Sequence, residues 1–402
     1  MSLPSTQTHK NSALPLSMSS QPSSWIELSK SAFAHNIAWY KKIIGDAVAL
    51  AVVVKGNAYG HGMQEIARLC QEDINVDWLC TTSLTEALTL RAQGVTKPLL
   101  VLCIIDDDVD KAIEHSIDLV VYDMAMVTLL SGRAQIVGKP ARIHLKIDTG
   151  LTRFGFFPEQ ALEIIHSIKK QPFLDLQGLC SHFSESDNQQ QEFTQQQLAT
   201  FHALVADLET HNIRIPFIHT GNSAATISQA ASRFTLVRIG AGAYGLQPSA
   251  FTLAKAQEEY PGFALRPVMT WKTRIMSLRT VPADKHVGYA KTFSTTATTL
   301  LGVIPVGYFE GYDRRLSNKG IVVLLDRQGN VKGYAPVVGR VCMNVSMINL
   351  TALPDVAVGD EVVLLGAYEQ VRAYELATVI AGFNPREITT RINAALIRSI
   401  TE

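Results

Sequence analysis

The sequence has no excess of charge of either sign. Lysine and arginine together number 36, as do aspartate and glutamate, so the formal net charge of the 402-residue chain is zero. Proteins that bind nucleic acid or an acidic membrane surface usually carry a clustered basic excess. The composition gives no support for either partner, and we expect a protein that binds neither nucleic acid nor membrane.

Cysteine is scarce, and its spacing carries no signature. The chain has five cysteines, Cys70, Cys80, Cys103, Cys180 and Cys342, most of them inside apolar stretches. No pair has CxxC spacing, so neither a zinc site nor a disulfide framework is indicated. We therefore expect reduced thiols, a cytoplasmic location and no metal centre.

Long hydrophobic segments are also missing. No run of 18 apolar residues occurs, and the longest apolar stretch near the N-terminus, ALPL, is too short for the core of a signal peptide. Residues 1–24 are rich in Ser, Pro, Gln and Thr, which predicts a disordered tail; Met18 is an alternative start. The 47% hydrophobic and 18% charged composition is that of a soluble globular protein.

What the sequence does contain is a regular alternation of short apolar runs and helical patterns between residues 48 and 246. The runs are VALAVVV (48–54), DWLCTT (77–82), LLVLCI (99–104), DLVVY (118–122), RIHLKI (142–147), LQGLCSH (176–182), IPFIHT (215–220) and TLVRIG (235–240). Helical patterns such as 83–94, with a serine cap, and 158–170 lie between them. Buried parallel strands separated by helices predict an α/β fold, and eight of them favour a (β/α)8 TIM barrel over an open doubly wound sheet.

The pattern changes after Arg266-Pro267. VMTWKTRIMSLRTV, LLGVIPV, GIVVLLD and RVCMNVSMINL are strand patterns with little helix between them, and DRQGN (326–330) is typical of a hairpin loop. We predict three regions: a tail at 1–24, a barrel at 25–266, and a mainly antiparallel β domain at 267–402 with a helical patch near 371–381.

Polar side chains follow several of the predicted barrel strands. Reading only the strand ends gives Lys55, Lys146 with Asp148, His182, Asn222 with Ser223, and Arg238. In a barrel, the C-terminal ends of the strands surround the active site. A single polar residue there is usually a solvated rim residue, whereas a set with an amine, an imidazole, a hydroxyl and a guanidinium predicts a site.

The stretch KGNAYGHG (55–62) places Lys55 directly after seven apolar residues. This lysine is either a rim residue whose amine reaches solvent, or a desolvated amine with a lowered pKa that serves as a nucleophile or base. Pyridoxal phosphate (PLP) chemistry needs such a lysine together with donors for a phosphate. TGNSAAT (220–226) and RIGAGAYG (238–245), including Gly240 and Ala241, follow the seventh and eighth strands, where barrels often bind phosphate.

These motifs resemble those of the alanine racemases, a family of PLP-dependent enzymes. The resemblance runs through AVVVKGNAYGHG, LKIDTGLTRFG (145–155), LCSHFSESD (179–187), HTGNSAAT (219–226), VRIGAGAYGL (237–246), VGYAKTF (287–293), VGYFEGYDRRL (306–316) and VGRVCMNVSMINL (338–350). It covers nearly everything from Trp25 to about Arg398. It also implies that the strand beginning near Trp25 (25–30) joins the C-terminal β domain.

The resemblance implies a role for each matching residue. Lys55 matches the lysine that carries the cofactor and serves as one catalytic base, and Tyr289 matches the second base, which comes from the other subunit of a homodimer. Tyr59 matches a phosphate-binding tyrosine, Arg238 the arginine at the pyridine nitrogen, and His182 the histidine that links Tyr289 to Arg238.

Further matches concern the substrate. Arg153 matches the arginine that contacts the cofactor phenolic oxygen and orients the substrate carboxylate, and Lys146 matches a lysine that is carbamylated in many members. An unmodified Lys146 beside Arg153 would be repulsive, so an anion is required there; carbamate is the first candidate and chloride the second. Tyr308, Arg314 and Met343 match substrate-access and substrate-binding positions that come from the partner chain, with the Met343 backbone N–H contacting the substrate carboxylate.

Two positions depart from the family pattern. Asn344 follows Cys342-Met343 where the family often has aspartate. In FNPREITTRI (383–392), Arg386 stands where the family has a tyrosine that touches the cofactor phosphate and narrows the substrate pocket, with Tyr374 as the alternative match. An arginine there would still bind phosphate and could favour a longer, polar or acidic substrate side chain.

The resemblance therefore predicts a cytoplasmic homodimer that supplies D-alanine, with peptidoglycan as its destination. A serine racemase or a racemase of broader specificity is the next candidate. A PLP-dependent decarboxylase of the same architecture is less favoured, because its Gly-rich phosphate loop and cysteine-centred motif are not evident. A non-catalytic PLP carrier resembles the barrel alone, so the β domain argues against it.

Overall fold

The structure of the chain is a computed structural model that describes residues 22–353, 355–382 and 384–402. The tail predicted at 1–24 lies outside the described residues up to position 21. The chain divides into two compact units. The barrel unit holds Ile26–Thr270 and Leu365–Glu402, and the β unit holds Trp271–Leu364 with Trp25 and the described residues before it.

The strands follow the apolar runs of the sequence closely. In chain order they are β1 (Ser24–Ser29), β2 (Ala49–Val53), β3 (Trp78–Ser83), β4 (Leu99–Ile104), β5 (Asp118–Val121), β6 (Ala141–Lys146), β7 (Leu174–Cys180), β8 (Phe217–His219), β9 (Leu236–Ile239), β10 (Met269–Arg274), β11 (Ser277–Val281), β12 (Thr299–Ile304), β13 (Ile321–Leu325), β14 (Val331–Pro336), β15 (Ser346–Asn349), β16 (Glu361–Leu365) and β17 (Ile397–Thr401).

Helices lie mainly between the strands of the barrel unit. They are α1 (Lys30–Ile44), α2 (Lys55–Tyr59), α3 (Met63–Glu72), α4 (Leu84–Ala92), α5 (Val109–Glu114), α6 (Met124–Val137), α7 (Ala161–Lys170), α8 (Glu192–Thr210), α9 (Ser223–Ser228), α10 (Ala250–Glu259), α11 (Ala373–Val379) and α12 (Pro385–Thr390). The predicted serine cap before α4 is present: Ser83 Oγ accepts from the Glu86 N–H at 3.2 Å, within a capping box.

Eight parallel strands form the sheet of the barrel unit, in the order β8-β7-β6-β5-β4-β3-β2-β9. The two end strands are joined by single hydrogen bonds: the Thr235 N–H donates to Ile218 O at 3.2 Å, and the Arg238 N–H to Gly221 O at 2.8 Å. The sheet is thus a nearly closed barrel, and the TIM-barrel prediction is confirmed.

Apolar side chains from most of the barrel strands pack together. One buried cluster consists of Ala51, Val53, Trp78, Cys80, Leu100, Val120, Cys180 and Leu236. Burying one large apolar side chain contributes roughly 1.5–3 kcal/mol to the stability of the fold. The packed cluster therefore holds the ends of the barrel strands in fixed positions. All five cysteines are free thiols.

The β unit is antiparallel, as predicted. Strands β11, β12 and β15 form one sheet, and β13 pairs with both β14 and β16. The predicted DRQGN hairpin joins β13 to β14, and the Asp326 carboxylate accepts from the Gln328 and Asn330 N–H groups at 2.8 Å each. Strand β1 begins in this unit, where Trp271 Nε1 donates to Ser24 Oγ at 2.7 Å.

The division into compact units differs from the predicted regions at the C-terminus. Residues 365–402, predicted as part of the β domain, are grouped with the barrel, and α11 is the helical patch expected near 371–381. As functional domains, the three predicted regions stay a prediction.

Candidate active site

A cavity of about 550 Å³ opens among the C-terminal ends of the barrel strands. Its wall includes most of the candidate residues: Lys55, Tyr59, Lys146, Arg153, His182, Asn222, Ser223, Arg238, Gly240, Ala241 and Arg386. Among the described residues that line it, five are lysine or arginine and one, Asp187, is acidic. Such a wall suits a ligand that carries more than one negative charge.

Lys55 stands at the start of α2, which is an unusual turn rather than a right-handed helix. The φ angles are positive at Gly56 (61°), Asn57 (54°), Ala58 (52°) and Tyr59 (54°). Left-handed backbone costs a residue with a Cβ roughly 1–2 kcal/mol, so the turn must be held by its surroundings.

Side chains from other elements hold this turn. The Gly56 N–H donates to Glu86 Oε1 at 2.9 Å, and the Met63 N–H donates to Asn57 Oδ1 at 2.9 Å. Arg398 donates from Nε and NH2 to Gly60 O at 3.1 and 2.9 Å. These contacts stabilise the strained turn, and Lys55 and Tyr59 at its two ends both line the cavity.

The environment of the Lys55 amine makes it less basic than an ordinary lysine. Partial loss of solvation at the strand ends lowers the pKa of Lys55, and the positive charge of Arg153 lowers it further. The side chain keeps contact with solvent through the open cavity. An amine that is both accessible and less basic than usual is suited to nucleophilic and proton-transfer chemistry.

Tyr59 and the loops after β8 and β9 form another wall. Ser223 Oγ accepts from the Gly240 and Gly242 N–H groups at 3.0 and 3.2 Å. Asn222 caps α9, and its Oδ1 accepts from the Ala224 and Ala225 N–H groups at 3.0 and 2.9 Å. Burial raises the pKa of Tyr59, so its hydroxyl remains a hydrogen-bond donor.

Arg238 is buried inside β9 rather than placed after it, with 5% of its surface exposed. Its NH1 donates to His219 Nδ1 and, at 2.9 Å, to His219 O; its NH2 donates to Ser181 O at 2.8 Å and to His182 Nδ1 at 3.2 Å. Burial and the nearby guanidinium hold the pKa of His182 well below its ordinary value, so this imidazole is neutral. Because arginine only donates, His182 Nδ1 accepts and Nε2 carries the proton.

Lys146, at the end of β6, is a second lysine on the cavity wall with a lowered pKa. Burial, with added repulsion from Arg238 and Arg153, lowers the pKa of Lys146 to about 8. The repulsion expected from Arg153 therefore contributes to this shift, but burial is its main cause.

Arg386 lies on the cavity wall and forms an ion pair with Asp187, with 3.1 Å between Arg386 NH2 and Asp187 Oδ2. The alternative match, Tyr374, is 61% exposed in α11 and is not among the cavity-lining residues. The structure therefore favours Arg386 as the residue at the departing position.

The remaining candidates belong to the β unit. Tyr289, Tyr308 and Met343 are large side chains with 70%, 44% and 55% of their surface exposed, and Arg314 is exposed as well. Asn344 Nδ2 donates to Glu310 Oε1 at 2.8 Å, so its amide is engaged locally. These three large side chains are therefore accessible to solvent in the single chain.

Sequence reasoning missed several polar residues near the site. Asp118, His144 and His219 lie inside barrel strands and are buried, and Asp187 pairs with Arg386. The signal was present in the sequence, since Asp118 and His219 each stand beside apolar residues in their strands and His144 lies between Ile143 and Leu145. The strand-end rule does not select Asp118 or His144, because they lie at the beginning or in the interior of their strands.

The part of the chain that the structure describes contains neither a metal-binding cluster of side chains nor a membrane-spanning helix. No group of three or more His, Cys, Asp or Glu side chains in residues 22–353, 355–382 and 384–402 could hold a metal ion. Over the same residues, no helix is long and apolar enough to span a lipid bilayer.

The fold and the cavity define a class: a TIM-barrel protein whose strand ends place a lysine with a lowered pKa and several further cationic side chains around one cavity. Comparison with known proteins identifies the family. Residues 28–248 match the model of the alanine racemase N-terminal domain, and residues 268–400 match that of the C-terminal domain.

Individual alanine racemases are similar to this chain over most of their length. The chain is 34% identical to the alanine racemase of Methanococcus maripaludis over 85% of this chain and 88% of that protein, and 34% identical to alanine racemase 2 of Oceanobacillus iheyensis over 94% and 96%. The structure of alanine racemase from Streptomyces lavendulae superposes with a TM-score of 0.85 at 31% identity, covering 95% of this chain and 98% of that one. The chain belongs to the alanine racemase family and is an amino-acid racemase.

Proposed function

We propose that the protein interconverts L-alanine and D-alanine, with pyridoxal 5'-phosphate bound at Lys55. The observation that carries the proposal is the cavity wall. It joins a lysine with a lowered pKa to four further cationic side chains and one acid. A cofactor phosphate and a substrate carboxylate are the anions that such a wall would neutralise.

The residues present fit the cofactor. Around the proposed phosphate site, Gly240 leaves room that a Cβ would fill, since that atom would lie 2.4 Å from the Tyr59 hydroxyl. The Tyr59 hydroxyl, the Ser223 hydroxyl and the Ala241 N–H would supply neutral donors for a phosphate, while the Gly240 N–H, which donates to Ser223 Oγ, would orient that hydroxyl. Arg238 would meet the pyridine nitrogen, and Arg153 the phenolic oxygen.

When bound, the cofactor acidifies the Cα–H bond of the amino acid by acting as an electron sink. The protein's part is to move the proton. Lys55 would hold or release it on one face of Cα, and Tyr289 of the partner subunit would do so on the other face. Inversion requires both, because a proton removed from one face must be replaced from the opposite face.

Arg238 would control the strength of the electron sink. A guanidinium donates hydrogen bonds and does not readily give up a proton, so a ring nitrogen that accepts from it stays unprotonated. Buried among neutral acceptors, Arg238 would keep the sink moderate. This limits side reactions such as transamination.

We further propose that Lys146 is carbamylated. With a pKa lowered to about 8, a useful fraction of the amine is neutral near physiological pH. Its lone pair forms the N–C bond to carbon dioxide, one C=O bond becomes a carboxylate, and the amine releases one proton to solvent. The resulting anion would position Arg153, and chloride is the alternative.

The active form proposed is a cytoplasmic homodimer with shared sites. Tyr289, Tyr308, Arg314 and Met343 would be contributed by the partner subunit, which agrees with the exposure of this set. The product proposed is D-alanine for peptidoglycan.

A second candidate is a serine racemase or a racemase of broader specificity. The supporting observation is Arg386 on the cavity wall, where the family resemblance places a tyrosine. A guanidinium paired with Asp187 gives this wall a polar surface that could accept a polar substrate side chain.

Purified protein incubated with L-alanine and PLP, followed by chiral analysis, tests the proposal. Formation of D-alanine supports it. Release of carbon dioxide would indicate a decarboxylase instead, and a yellow but inert protein would indicate a carrier.

A further inference from the structure

A line of buried polar side chains runs through the barrel interior from Arg238 to Asp118. Arg238 NH1 donates to His219 Nδ1; His219 Nε2 lies 2.8 Å from His144 Nδ1; and His144 Nε2 lies 3.0 Å from Asp118 Oδ2. At the other end of the line, Arg142 donates from Nε and NH2 to the Asp118 carboxylate at 2.6 and 3.3 Å.

The two arginines determine which ring nitrogen carries the proton in each histidine of this line. Arg238 can only donate, so His219 Nδ1 accepts and His219 carries its proton on Nε2. That proton points at His144 Nδ1, which must accept it, so His144 carries its own proton on Nε2 and donates to Asp118. Each donor then meets an acceptor with both imidazoles neutral and Asp118 ionised.

The surrounding core is shaped to hold this line. A Cβ on Gly178 of β7 would lie 2.0 Å from His144 Nδ1, so only glycine leaves room for the imidazole. The His144 ring stacks on Phe217, with centroids 6.2 Å apart, and meets Trp78 edge-on at 5.9 Å. Both histidines are fully buried and Asp118 is 1% exposed, so water cannot replace any of these partners.

The line also links a buried cation to a carboxylate. The hydrogen-bond acceptors found for Arg238 among the described residues are two neutral imidazoles and backbone carbonyls. Burying a guanidinium among neutral groups alone is costly. Asp118 is the carboxylate of this line, and two polarised imidazoles connect it to the arginine.

We propose that Asp118 and His144 are positioning residues: they hold His219 with Nδ1 as an acceptor, which fixes the Arg238 guanidinium at the cavity wall. The inference rests on the proposed function only in naming the cofactor ring nitrogen as the group that the guanidinium meets. The proton arrangement itself belongs to this chain, with or without a ligand.

The first test reads the protons directly. The full-length protein is labelled with [15N]histidine, and the His144 and His219 signals are assigned with His144→Gln and His219→Gln variants. We expect both imidazoles to be neutral with the proton on Nε2. A proton on Nδ1 of either ring, or an imidazolium, would overturn the proposal. This measurement needs no cofactor, so it stands if the proposed function fails.

The second test perturbs the far end of the line. In Asp118→Asn, the signals of His144 should change and those of His219 should change with them. Asp110→Asn is the matched control, because Asp110 makes the corresponding two-oxygen contact with Arg133 at the surface. Arg142→Gln separates loss of the Asp118–Arg142 ion pair from loss of the carboxylate. Unchanged His219 signals in Asp118→Asn would contradict the coupling.

Kinetics then measure the consequence. In the PLP-loaded enzyme, we expect Asp118→Asn to lower kcat about tenfold while KM for L-alanine stays within about twofold, because only the group facing the cofactor ring is disturbed. The absorption spectrum of the bound cofactor should shift as well. Asp110→Asn should match wild type in kcat, KM and spectrum. An Asp118→Asn enzyme with wild-type kcat and spectrum would rule out a positioning role.

Discussion

The Tyr59 hydroxyl lies directly over Gly240: a Cβ built on that glycine would be 2.4 Å from the hydroxyl oxygen and 3.0 Å from Cζ. The turn that follows Lys55 and the loop that follows β9 therefore meet at one point of the cavity wall. No side chain fits between them, and Tyr59, Ser223 and Gly240 all line the cavity at this point.

This contact predicts the effect of Gly240→Ala. The added methyl group must displace the Tyr59 hydroxyl, so PLP affinity should fall about tenfold, the loss of roughly one phosphate hydrogen bond. Titrating the cofactor-free protein with PLP measures it. Gly132→Ala is the control, because nothing lies within 4 Å of the added Cβ in α6. Equal affinities in the two variants would contradict the phosphate site.

Lys146 predicts a dependence of stability on pH. Its pKa is about 8 in the folded chain against 10.5 for an ordinary lysine, so between these values the unfolded chain binds more protons. The free energy of unfolding should therefore rise with pH between about pH 8 and pH 10.5. Below about pH 8, the destabilisation caused by burying the charged amine is fully present.

Lys146→Met removes that cost. In buffers free of carbon dioxide, we expect the variant to be more stable than wild type at neutral pH by about 2 kcal/mol, a figure reduced for the partial exposure of the amine, with the difference vanishing near pH 10.5. Urea unfolding at several pH values measures it. Lys111→Met, at an exposed lysine, should stay within about 0.5 kcal/mol of wild type throughout. A pH-independent difference at Lys146 would refute the perturbed amine.

Arg386 predicts a change in specificity with little change in stability. Its ion pair with Asp187 is more than a third exposed on both sides, so Arg386→Tyr should alter the free energy of unfolding by less than about 1 kcal/mol. Assays with both enantiomers of Ala, Ser, Glu and Lys should show narrowing toward alanine by about tenfold in relative kcat/KM. Asp187→Asn, which keeps the arginine, should retain the wild-type range. An identical substrate range in the wild type and both variants would show that Arg386 does not determine substrate specificity.

The shared-site proposal predicts complementation. Lys55→Ala and Tyr289→Phe chains should each be inactive alone, and unfolding and refolding them together should restore roughly a quarter of wild-type activity, since half of the dimers would carry one intact site out of two. Chiral analysis of L-alanine reactions measures it. Mixed chains that remain inactive, with dimers shown by sedimentation, would count against sites built from two chains.

Much of this fold could be predicted because its signals are local. Each barrel strand is a short apolar run, and the eight runs match β2 to β9 to within a few residues. The strand-end rule placed Lys55, Lys146 and His182 correctly on the cavity wall. Arg238 is an exception in part, because it lies inside β9 and reaches the wall from within the barrel.

Other features depend on contacts between distant segments and leave weak local signals. The left-handed turn at Gly56–Tyr59 is held by Glu86 and Arg398, which lie far away in sequence. The line from Asp118 to Arg238 needs four strands in register and a glycine at position 178. A polar residue within one strand looks like an isolated exception until the barrel brings its partners together.

The proposed racemase chemistry requires that the amine of Lys55 carries the cofactor. Reduction of the PLP-loaded protein with borohydride, followed by peptide mapping, tests this directly. We predict one stable pyridoxyl label per chain, on Lys55, and none in Lys55→Ala. A label on another lysine, or no label on a protein that racemises alanine, would contradict the account.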